Sequence, residues 1–342
     1  MNPKVTIVIL NWNRSHDTVE CLESLYQIDY DSYNVILVDN ASNDGSLAEI
    51  DAYCTTYRKL EPRSSKCVIR DKPTTIVHYT QKRAEGSDDN QREGASAQVR
   101  LGLTLIANER NYGFSEGNNI AVAYAQQTAN PDYILLLNND TVVDRRFLRE
   151  LIAVAEQDER CGLLQPKMLH YSDLTIDNTG IMCDIFTSTQ RRGSYEKDEG
   201  KYDGHREDGF FYASGACVLI KKSVFSALSG ECFDPHLFAY GEDLDLSWGA
   251  RLIGFSVAYC PTSVCYHKVG STLGRQSPYG GYLVARNRLR VPIKNYGFPT
   301  LFFVLPLTIS LMLFMAFFSC ISNFTLVHLR NVIKALLWNV IN

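Results

Sequence analysis

Several common site signatures are missing from this 342-residue sequence. The 10 cysteines are scattered and form no C-x-x-C pair, which argues against a zinc site or a small disulfide scaffold and favours reduced thiols in a cytosolic setting. No G-x-G-x-x-G motif follows the first apolar stretch and no P-loop is present, so a dinucleotide-binding Rossmann domain is disfavoured. The serine of "ASGAC" precedes a single glycine, which does not match a nucleophile elbow.

A strong excess of one charge is also missing. The net charge of −4 gives no general reason to expect nucleic acid or an anionic surface as a partner. The apolar run in "MNPKVTIVIL" is too short for a signal peptide and has no small-residue cleavage site, so we interpret it as a first strand. With 45% hydrophobic residues, the chain can bury a full core in one large domain or in a domain plus an appendage.

What the sequence does contain is an alternation of strand and helix patterns. Apolar spacing predicts a helix after the first strand, over 15–28, and another after the third, over 115–128. Unbroken apolar stretches predict strands at Val5–Leu10, Asn34–Asp39, Leu103–Asn108 and Tyr133–Asn138. This alternation is typical of an α/β domain with a mainly parallel central sheet and flanking helices. Ligands of such sheets bind beyond the carboxyl ends of the strands.

The segment 58–100 interrupts this pattern, because it is polar and mixed in charge. We interpret it as a mobile insert at the periphery, in contact with acceptor or membrane. After it, 210–225 reads as a strand entering a helix, 241–255 as a helix, and 256–261 as a further strand. The predicted catalytic domain therefore covers 1–294, and 295–342 is a segment of another kind.

No Lys, Arg, Asp or Glu occurs from Asn295 to Val327, and Leu301–Ile321 is nearly all apolar. About 20 apolar residues suffice to cross a bilayer, so we predict a membrane-associated or transmembrane segment. More basic residues precede the run than follow it, which predicts a cell-membrane protein with its catalytic domain on the cytoplasmic side. A buried helix of the globular domain and an interfacial helix pair remain alternatives, since 328–340 is itself amphipathic.

Polar side chains follow three of the predicted strands. They occur at Asn11–Asn13, at Asp39–Ser46 and in "NND", Asn138–Asp140. A carboxylate at a strand end, two residues after an amide, can hold a divalent cation through oxygen ligands. Asn and Asp also favour ordinary turns, and Asp39 could cap a loop as well as accept the imide N–H of a uracil or thymine. The glycines of "NYGFSEGNN" permit tight turns and close backbone approach to a ligand.

Three further residues have both a functional and an ordinary interpretation. Glu242 and Asp243 begin a predicted helix, where the helix dipole favours acids without any catalytic role. A functional interpretation needs one of these carboxylates to take a proton from an attacking hydroxyl. His267 follows the last predicted strand and could be a metal ligand or a satisfied interior histidine.

These segments together resemble the family 2 glycosyltransferases of GT-A fold, particularly the rhamnosyltransferase-like branch. The resemblance covers roughly Val5 to Tyr296 apart from the insert. The matching segments, in chain order, are "VTIVILNWN", "LVDNASNDGS", "NERNYGFSEGNN", "ILLLNNDTVVD", "ASGACVLIKKSVF", "FDPHLFAYGEDLDLSWGARLIGF" and "YHKVGSTLG". It implies an inverting, metal-dependent hexosyltransferase that moves a sugar from a nucleoside-diphosphate donor to an acceptor hydroxyl. The acceptor is expected to be a membrane-linked glycan or lipid-linked saccharide of surface polysaccharide synthesis.

The resemblance also implies a role for each matching position. Asp140 and His267 would bind the divalent cation, Mg²⁺ or Mn²⁺. Asp243 would be the general base, next to Glu242. The nucleotide-sugar pocket would be formed by Asn11, Trp12, Asn13, Asp39, Asn111, Gly113, Asn118, Asn138, Asn139 and Gly215. The chain departs from the family at Asn138, where the metal motif normally has an acid, and in the length of the insert.

Three other classes of protein fit the sequence less well. A sugar nucleotidyltransferase would open with a glycine-rich loop after the first strand, and "NWNRSHD" lacks those glycines. A non-catalytic nucleotide-sugar-binding protein would be expected to have lost its acids, whereas Asp140 and Asp243 are present. A purely structural membrane protein would not need the converging polar loops.

Overall fold

The computed structural model describes residues 2–55, 76–80, 103–204, 207, 209–228, 230, 232–269 and 277–342. The first half forms the alternating part of the fold. Its elements are β1 Val5–Asn11, α1 Ser15–Leu25, β2 Tyr33–Asp39, α2 Ser46–Thr55, β3 Ile76–Thr80, β4 Leu103–Ala107, α3 Gly113–Thr128 and β5 Tyr133–Asn138. The four predicted strands are confirmed within one or two residues, because each is an apolar run covered on both faces.

The second half contributes the antiparallel part of the sheet and the flanking helices. Its elements are β6 Thr141–Val143, α4 Phe147–Ala155, β7 Cys161–His170, β8 Ile176–Asn178, β9 Ile181–Cys183, β10 Thr189–Arg191, β11 Cys217–Lys221, α5 Lys222–Ala227, a 3₁₀ turn at Pro235–Leu237, α6 Glu242–Leu252, β12 Ser256–His267, α7 Pro278–Asn295, α8 Phe298–Asn323 and α9 Val327–Ile341. The strand predicted at 256–261 continues to His267 through an irregular register near Cys260.

The central sheet has the order β3-β4-β2-β1-β5-β11-β7-β12-β6, with β8 paired to β7. The strands from β3 to β5 along this order are parallel, and β11 then pairs antiparallel with both β5 and β7. A mixed, mainly parallel sheet is therefore confirmed. One hydrophobic core lies on each face, the first including Ile7 and Phe147 and the second including Val8 and Tyr259.

The insert departs from its prediction in one respect. Residues 76–80 form β3, which pairs in parallel with β4 at the edge of the central sheet. The sequence signal was the β-branched run around Ile76 and Val77, which the surrounding polar residues obscured. The rest of the prediction for 58–100 lies outside the described residues.

Helices α7, α8 and α9 follow one another at the C-terminal end. Among the described residues, one helix is long and apolar enough to cross a membrane: 25 residues of α8, Phe298–Ser322, with a mean hydropathy of 2.5. Only 22% of this stretch is buried, which does not fit the alternative of a core helix. The side chains that α8 does bury include Met312 and Ala316, which pack with Leu289 of α7 and Val332 of α9.

Candidate active site

The ends of β1 and β2 are joined by a buried network around Asp39. Asn11 donates to Asp39 Oδ1 at 2.7 Å and to Ser42 Oγ at 3.0 Å. The Ser42 hydroxyl and backbone N–H both donate to the Asp39 carboxylate, at 2.6 and 3.0 Å. Asp39 thus caps its own loop. Asn11 contacts Asp39 directly, and Asn13 is linked to it through Ser42, because Asn13 N–H donates to Ser42 Oγ at 2.7 Å.

The strand end after β1 turns sharply. Asn13 and Arg14 both have φ of 62°, a left-handed conformation that asparagine adopts more readily than most residues. The Asn13 side chain accepts a hydrogen bond from Asn43 N–H at 3.0 Å, so the two loops hold each other. Trp12, between Asn11 and Asn13, is half-buried.

Asn40 is a site residue that sequence reasoning missed. Its Nδ2 donates to Asn111 Oδ1 at 2.9 Å and to Gly113 O at 3.0 Å. Its Oδ1 accepts from Asn108 Nδ2 and Tyr112 N–H. This side chain therefore ties the loop after β2 to the "NERNYG" loop and brings Asn111 and Gly113 to the predicted pocket. Its place directly after Asp39 was the available signal.

Two of the predicted pocket asparagines have internal partners. Asn118 is buried on α3 and donates to Phe114 O at 2.8 Å. Asn139 is buried and donates to Asn11 Oδ1 at 3.3 Å and to Thr18 Oγ1 at 3.0 Å. Both contacts hold the scaffold of the pocket together, while Asn138 lies half-buried at the end of β5.

Asp140 and His267 are brought together as predicted. The register places Thr141 of β6 opposite His267 of β12, and Lys268 N–H donates to Asp140 O at 3.0 Å. His267 Nε2 lies 3.4 Å from Asp140 Oδ1, with both side chains buried. On the other side of the ring, His267 Nδ1 lies 3.0 Å from Asp177 Oδ2.

Asp177 is a second residue that the sequence did not reveal. It lies on β8 and also contacts the Arg191 guanidinium at 2.5 Å. Burial opposes a charge on His267, but the hydrogen bonds to Asp140 and Asp177 outweigh it and raise the pKa of the imidazole to about 10. Burial raises the pKa of the Asp177 carboxyl, whereas its contacts with His267 and Arg191 lower it. The net pKa lies below the usual range of an aspartate. A strand predicted from "TIDNTG" would have been needed to find this acid.

These side chains fit a divalent cation. Ligand atoms about 2.1 Å from one cation at right angles are separated by about 3 Å, close to the 3.4 Å between Asp140 and His267. A metal-binding histidine usually has its other ring nitrogen hydrogen-bonded to a carboxylate, and Asp177 occupies that place. A second group of potential ligands, Asp17 and Glu20, is ion-paired to Lys268 at 2.6 and 2.5 Å.

Asp243 and Gly215 also meet. Gly215 N–H donates to Asp243 Oδ2 at 3.2 Å, and a Cβ on Gly215 would lie 3.4 Å from Asp243 Cβ. The neighbouring Glu242 is buried, and its charge acts on the buried Cys232 thiol. The pKa of that thiol is raised first by burial and then by the Glu242 carboxylate. The two acids therefore have different surroundings, although they are adjacent on α6.

The two halves of the site share one edge of the sheet. Asn138 N–H donates to Ala216 O at 2.8 Å, directly beside Gly215. The metal-motif turn at 138–140 and the Asp243 carboxylate therefore flank the junction of β5 and β11. The backbone contact between Asn138 and Ala216 therefore joins the segment that contains Asp140 to the segment that contacts Asp243.

The loop before Asp243 has an unusual backbone. Phe238, Tyr240 and Gly241 have φ of 61°, 71° and 90°. Asn287 of α7 donates to three carbonyl oxygens of this stretch, those of Leu237, Ala239 and Tyr240, at 2.8, 2.9 and 2.6 Å. Such conformations persist where surrounding contacts determine them, and here α7 provides those contacts.

The same loop supports the start of α3. Phe238 O accepts from the N–H groups of Phe114 and Ser115, at 2.6 and 3.0 Å. Gly113 has φ of 78°, and a Cβ there would lie 2.5 Å from Phe238 O. Only glycine fits this approach, so the "NYG" segment and the loop before Asp243 are held in contact.

Two family models match the chain. Residues 73–279 match the model described as Glycosyltransferase like family 2, and residues 6–70 match Glycosyl transferase family 2. The chain is 26% identical over 180 residues to Low-salt glycan biosynthesis hexosyltransferase Agl10 of Haloferax volcanii. It is 28% identical over 165 residues to Rhamnosyltransferase WbbL of Escherichia coli (strain K12). These matches cover 52% and 46% of this chain, and 56% and 61% of the relatives, so the chain matches little more than half of each relative's length.

Solved structures share the fold. The mannosyltransferase PcManGT from Pyrobaculum calidifontis, in complex with GDP-Man and Mn²⁺, is similar with a TM-score of 0.52 and 15% identity, covering 99% of this chain and 76% of that one. GalNAc-T7 with UDP, GalNAc and Mn²⁺ is similar with a TM-score of 0.53 and 15% identity, covering 85% of this chain and 48% of that one. At this identity the likeness concerns the fold, and the GT-A architecture predicted above is confirmed.

Proposed function

Because the chain belongs to glycosyltransferase family 2, we propose that it acts in glycan synthesis as an inverting, metal-dependent hexosyltransferase. It moves the sugar of a nucleoside-diphosphate donor to an acceptor hydroxyl. The observation that carries this proposal is the shared sheet edge, where Asp243 contacts Gly215 beside the turn that bears Asp140.

Asp243 is the general base of the proposed reaction. Its carboxylate accepts hydrogen bonds from the backbone N–H groups of Gly215 and Leu244, at 3.2 and 2.9 Å, and these donors orient it without supplying a proton at neutral pH. Each carboxylate oxygen has two acceptor positions, so an acceptor hydroxyl can also donate to it. A single displacement assisted by one base inverts the anomeric carbon. A second carboxylic acid is not needed, since a diphosphate leaves without protonation.

Asp140 and His267 hold the divalent cation, which supplies charge neutralisation for the departing diphosphate when bound. Asp177 keeps the His267 ring oriented with Nε2 toward Asp140. With Asn138 in place of an acid, the site has one carboxylate fewer, and His267 would bind the cation through Nε2 after releasing the ring proton that Asp140 and Asp177 stabilise. The Mn²⁺ in the two structural relatives supports a cation of this class.

The nucleotide lies over the loops after β1 and β2. Asp39 reads the base through the acceptor capacity that its contacts with Asn11 and Ser42 leave. Trp12, Asn13, Asn111 and Gly113 border the same place. GDP-Man and UDP in the structural relatives support a nucleoside-diphosphate sugar as donor.

The acceptor is proposed to be a lipid-linked saccharide at the cell membrane, with the catalytic domain on the cytoplasmic side. Support comes from the apolar α8 and from the O-antigen biosynthesis protein RfbC of Myxococcus xanthus, 27% identical over 166 residues. The match covers 46% of this chain and 13% of that protein.

A donor screen tests the proposed activity. Nucleotide release from UDP-, GDP- and dTDP-sugars is measured with Mg²⁺, with Mn²⁺ and with EDTA, using a polyprenyl-diphosphate saccharide as acceptor. We expect turnover of one donor class that stops in EDTA and returns with metal. NMR of the product should show an anomeric configuration opposite to that of the donor. A product with the same anomeric configuration as the donor would contradict the proposal. Binding of the donor without transfer of its sugar to the acceptor would also contradict it.

A further inference from the structure

Helix α8 has one side that is packed against the protein and one side that is exposed. One stripe, formed by Val304, Thr308, Met312 and Ala316, is packed against the protein, with exposures of 8, 1, 5 and 3%. The opposite side carries large apolar side chains that remain exposed, at 68% for Phe303, 68% for Phe314 and 63% for Phe318. The packed stripe runs over the 13 residues from Val304 to Ala316, which is about 18 Å along the helix axis.

The packed stripe of α8 lies against α7, which belongs to the catalytic domain, and against α9. Met312 and Ala316 share one apolar cluster with Leu289 of α7 and Val332 of α9. The residues on either side of Leu289 are polar: Arg288 donates to Phe186 O and Ser188 Oγ, and Arg290 donates to Asp234 Oδ2. Helix α7 therefore presents one side to the catalytic domain and the other to α8.

This arrangement does not fit a helix that crosses the bilayer on its own. Since the hydrocarbon core is about 30 Å thick, a crossing α8 would place most of its 18 Å packed stripe at hydrocarbon depth. Leu289, Arg288 and Arg290, together with the catalytic-domain contacts of these arginines, would be drawn to the same depth. Both arginines would then lie at a depth where a charged side chain is strongly disfavoured.

Helix α9 continues the apolar outer side. Ile333, Leu337 and Val340 are exposed, at 46, 60 and 86%, whereas Val332 and Ala335 pack inward. Exposed Arg330 and Lys334 border the apolar strip. An apolar strip with basic residues at its margin is the pattern of a helix that lies in the interface and contacts anionic headgroups.

We propose that α8 and α9 lie in the plane of one leaflet of an anionic phospholipid bilayer. The protein is then monotopic, since it binds one face of the membrane and does not cross it. Helix α7 is the bridge to the site: its Asn287 holds the backbone from Leu237 to Tyr240, three residues before Asp243. Helix α7 therefore connects the loop before Asp243 to the helices of the proposed membrane layer. The inference rests on helix packing and stands whether or not the acceptor is lipid-linked.

Sidedness is tested on the full chain with different epitope tags at its two ends, reconstituted in vesicles of phosphatidylethanolamine and phosphatidylglycerol. Protease is added outside and the tags are followed by immunoblot. We expect the two tags to be cleaved to the same extent, because a monotopic chain keeps both ends on one side. A C-terminal tag that survives where the N-terminal tag is lost would show a crossing helix and overturn the proposal.

Lipid contact is tested by flotation of the same vesicles with surface variants. Phe303→Glu and Phe318→Glu, near opposite ends of α8, should each weaken vesicle binding about tenfold or more, since a phenyl side chain is lost from the lipid at both positions. The matched control is Leu252→Glu, which changes a side chain of similar 63% exposure on α6 and should bind as the parent does. Parent-like binding of both α8 variants would also overturn the proposal.

Discussion

Asp243 and Glu242 are neighbours in sequence, yet their carboxylates lie in different environments. Asp243 contacts Gly215 at the sheet edge, and Glu242 is buried near Cys232. This difference supports the proposal that Asp243, and not Glu242, accepts the proton, since the helix dipole by itself favours an acid at the position of Glu242.

We expect Asp243→Asn to reduce kcat by about 10²–10⁴-fold, because an amide cannot take the proton of the acceptor. Donor affinity should change little, since the Gly215 N–H can still find an oxygen acceptor. Asp140→Ala should instead weaken binding of donor together with Mn²⁺. Calorimetric titration and steady-state kinetics on both variants separate the two roles. If donor binding falls equally in both, the assignment of base and metal ligand is wrong.

Asp177 acts through His267. Asp177→Asn should lower Mn²⁺ affinity about 10–100-fold, because such supporting carboxylates orient the ligand ring and increase its basicity. Mn²⁺ electron paramagnetic resonance titration measures this without any turnover. Asp198→Asn is the matched control, since Asp198 pairs with Lys167, 2.9 Å away, and does not touch His267. Equal Mn²⁺ affinity in parent and Asp177→Asn protein would exclude the positioning role.

At the scale of elements, the loop from Phe238 to Gly241 is determined by α7 more than by its own sequence. Asn287→Asp replaces a donor to three carbonyl oxygens by a carboxylate that repels them. With about 1 kcal/mol for each hydrogen bond, the free energy of unfolding should fall by about 2–4 kcal/mol.

The same variant should lower kcat, because the loop leads directly into Asp243. Asn339→Asp is the control, since Asn339 also donates to backbone carbonyls, those of Arg286 and Ala335, but not to those of the loop. Urea unfolding measures the loss of stability in each variant, and steady-state kinetics measures its kcat. A loss of stability without any loss of kcat in Asn287→Asp would show that the loop does not position the base.

Gly113 and Gly45 form a natural comparison. Both have positive φ, 78° and 86°, so alanine at either position is strained by about 1–2 kcal/mol. An alanine Cβ at Gly113 would in addition lie 2.5 Å from Phe238 O, whereas at Gly45 nothing lies within 4 Å. Gly113→Ala should therefore cost more stability than Gly45→Ala in chemical unfolding, and it should also raise the KM for donor. Equal costs would mean that the contact with Phe238 relaxes freely.

At the scale of the molecule, the attachment of α7 to the catalytic domain should depend on pH. Burial raises the pKa of Asp234, but its hydrogen bond with Arg290 has the larger opposite effect together with the other donors around it. The net pKa therefore lies below the usual 3.8. The pair therefore contributes stability above about pH 4 and loses it as the pH falls through the folded-state value.

Arg290→Met should lower the free energy of unfolding at pH 7 by about 1.5–3 kcal/mol, the usual range for a hydrogen bond to a charged group. The difference from the parent should shrink as pH falls from 5 to 3, as followed by thermal unfolding. Arg149→Met, which removes an exposed pair with Asp29, should change stability by less than about 1 kcal/mol. The Arg290 guanidinium also lies over the Trp338 ring, 5.4 Å from its centroid, so a pH-independent difference for Arg290→Met would mean that this packing, and not charge, dominates.

Much of the fold could be predicted because its signals are local. The four parallel strands are unbroken apolar runs, and α8 is an apolar run of sufficient length, so neither depends on distant partners. β3 and β8 were missed because they are short and polar or lie among polar residues, and their pairing partners stabilise them. Strand formation in such segments is decided by the neighbouring strand.

The sequence by itself determined which residue types stand at the strand ends and in which order, and that order predicted the family. Only the tertiary structure decided what each polar side chain contacts: Asp177 behind His267, Asn40 between two loops, and Asn287 beneath the loop before Asp243. These pairs are between 47 and 90 residues apart, so no local pattern encodes them. Likewise, the length of α8 predicted membrane contact, but its packing on α7 determines how the helix can lie. The physical reason is the same throughout: composition and spacing set what a segment can bury, and packing sets against what it is buried.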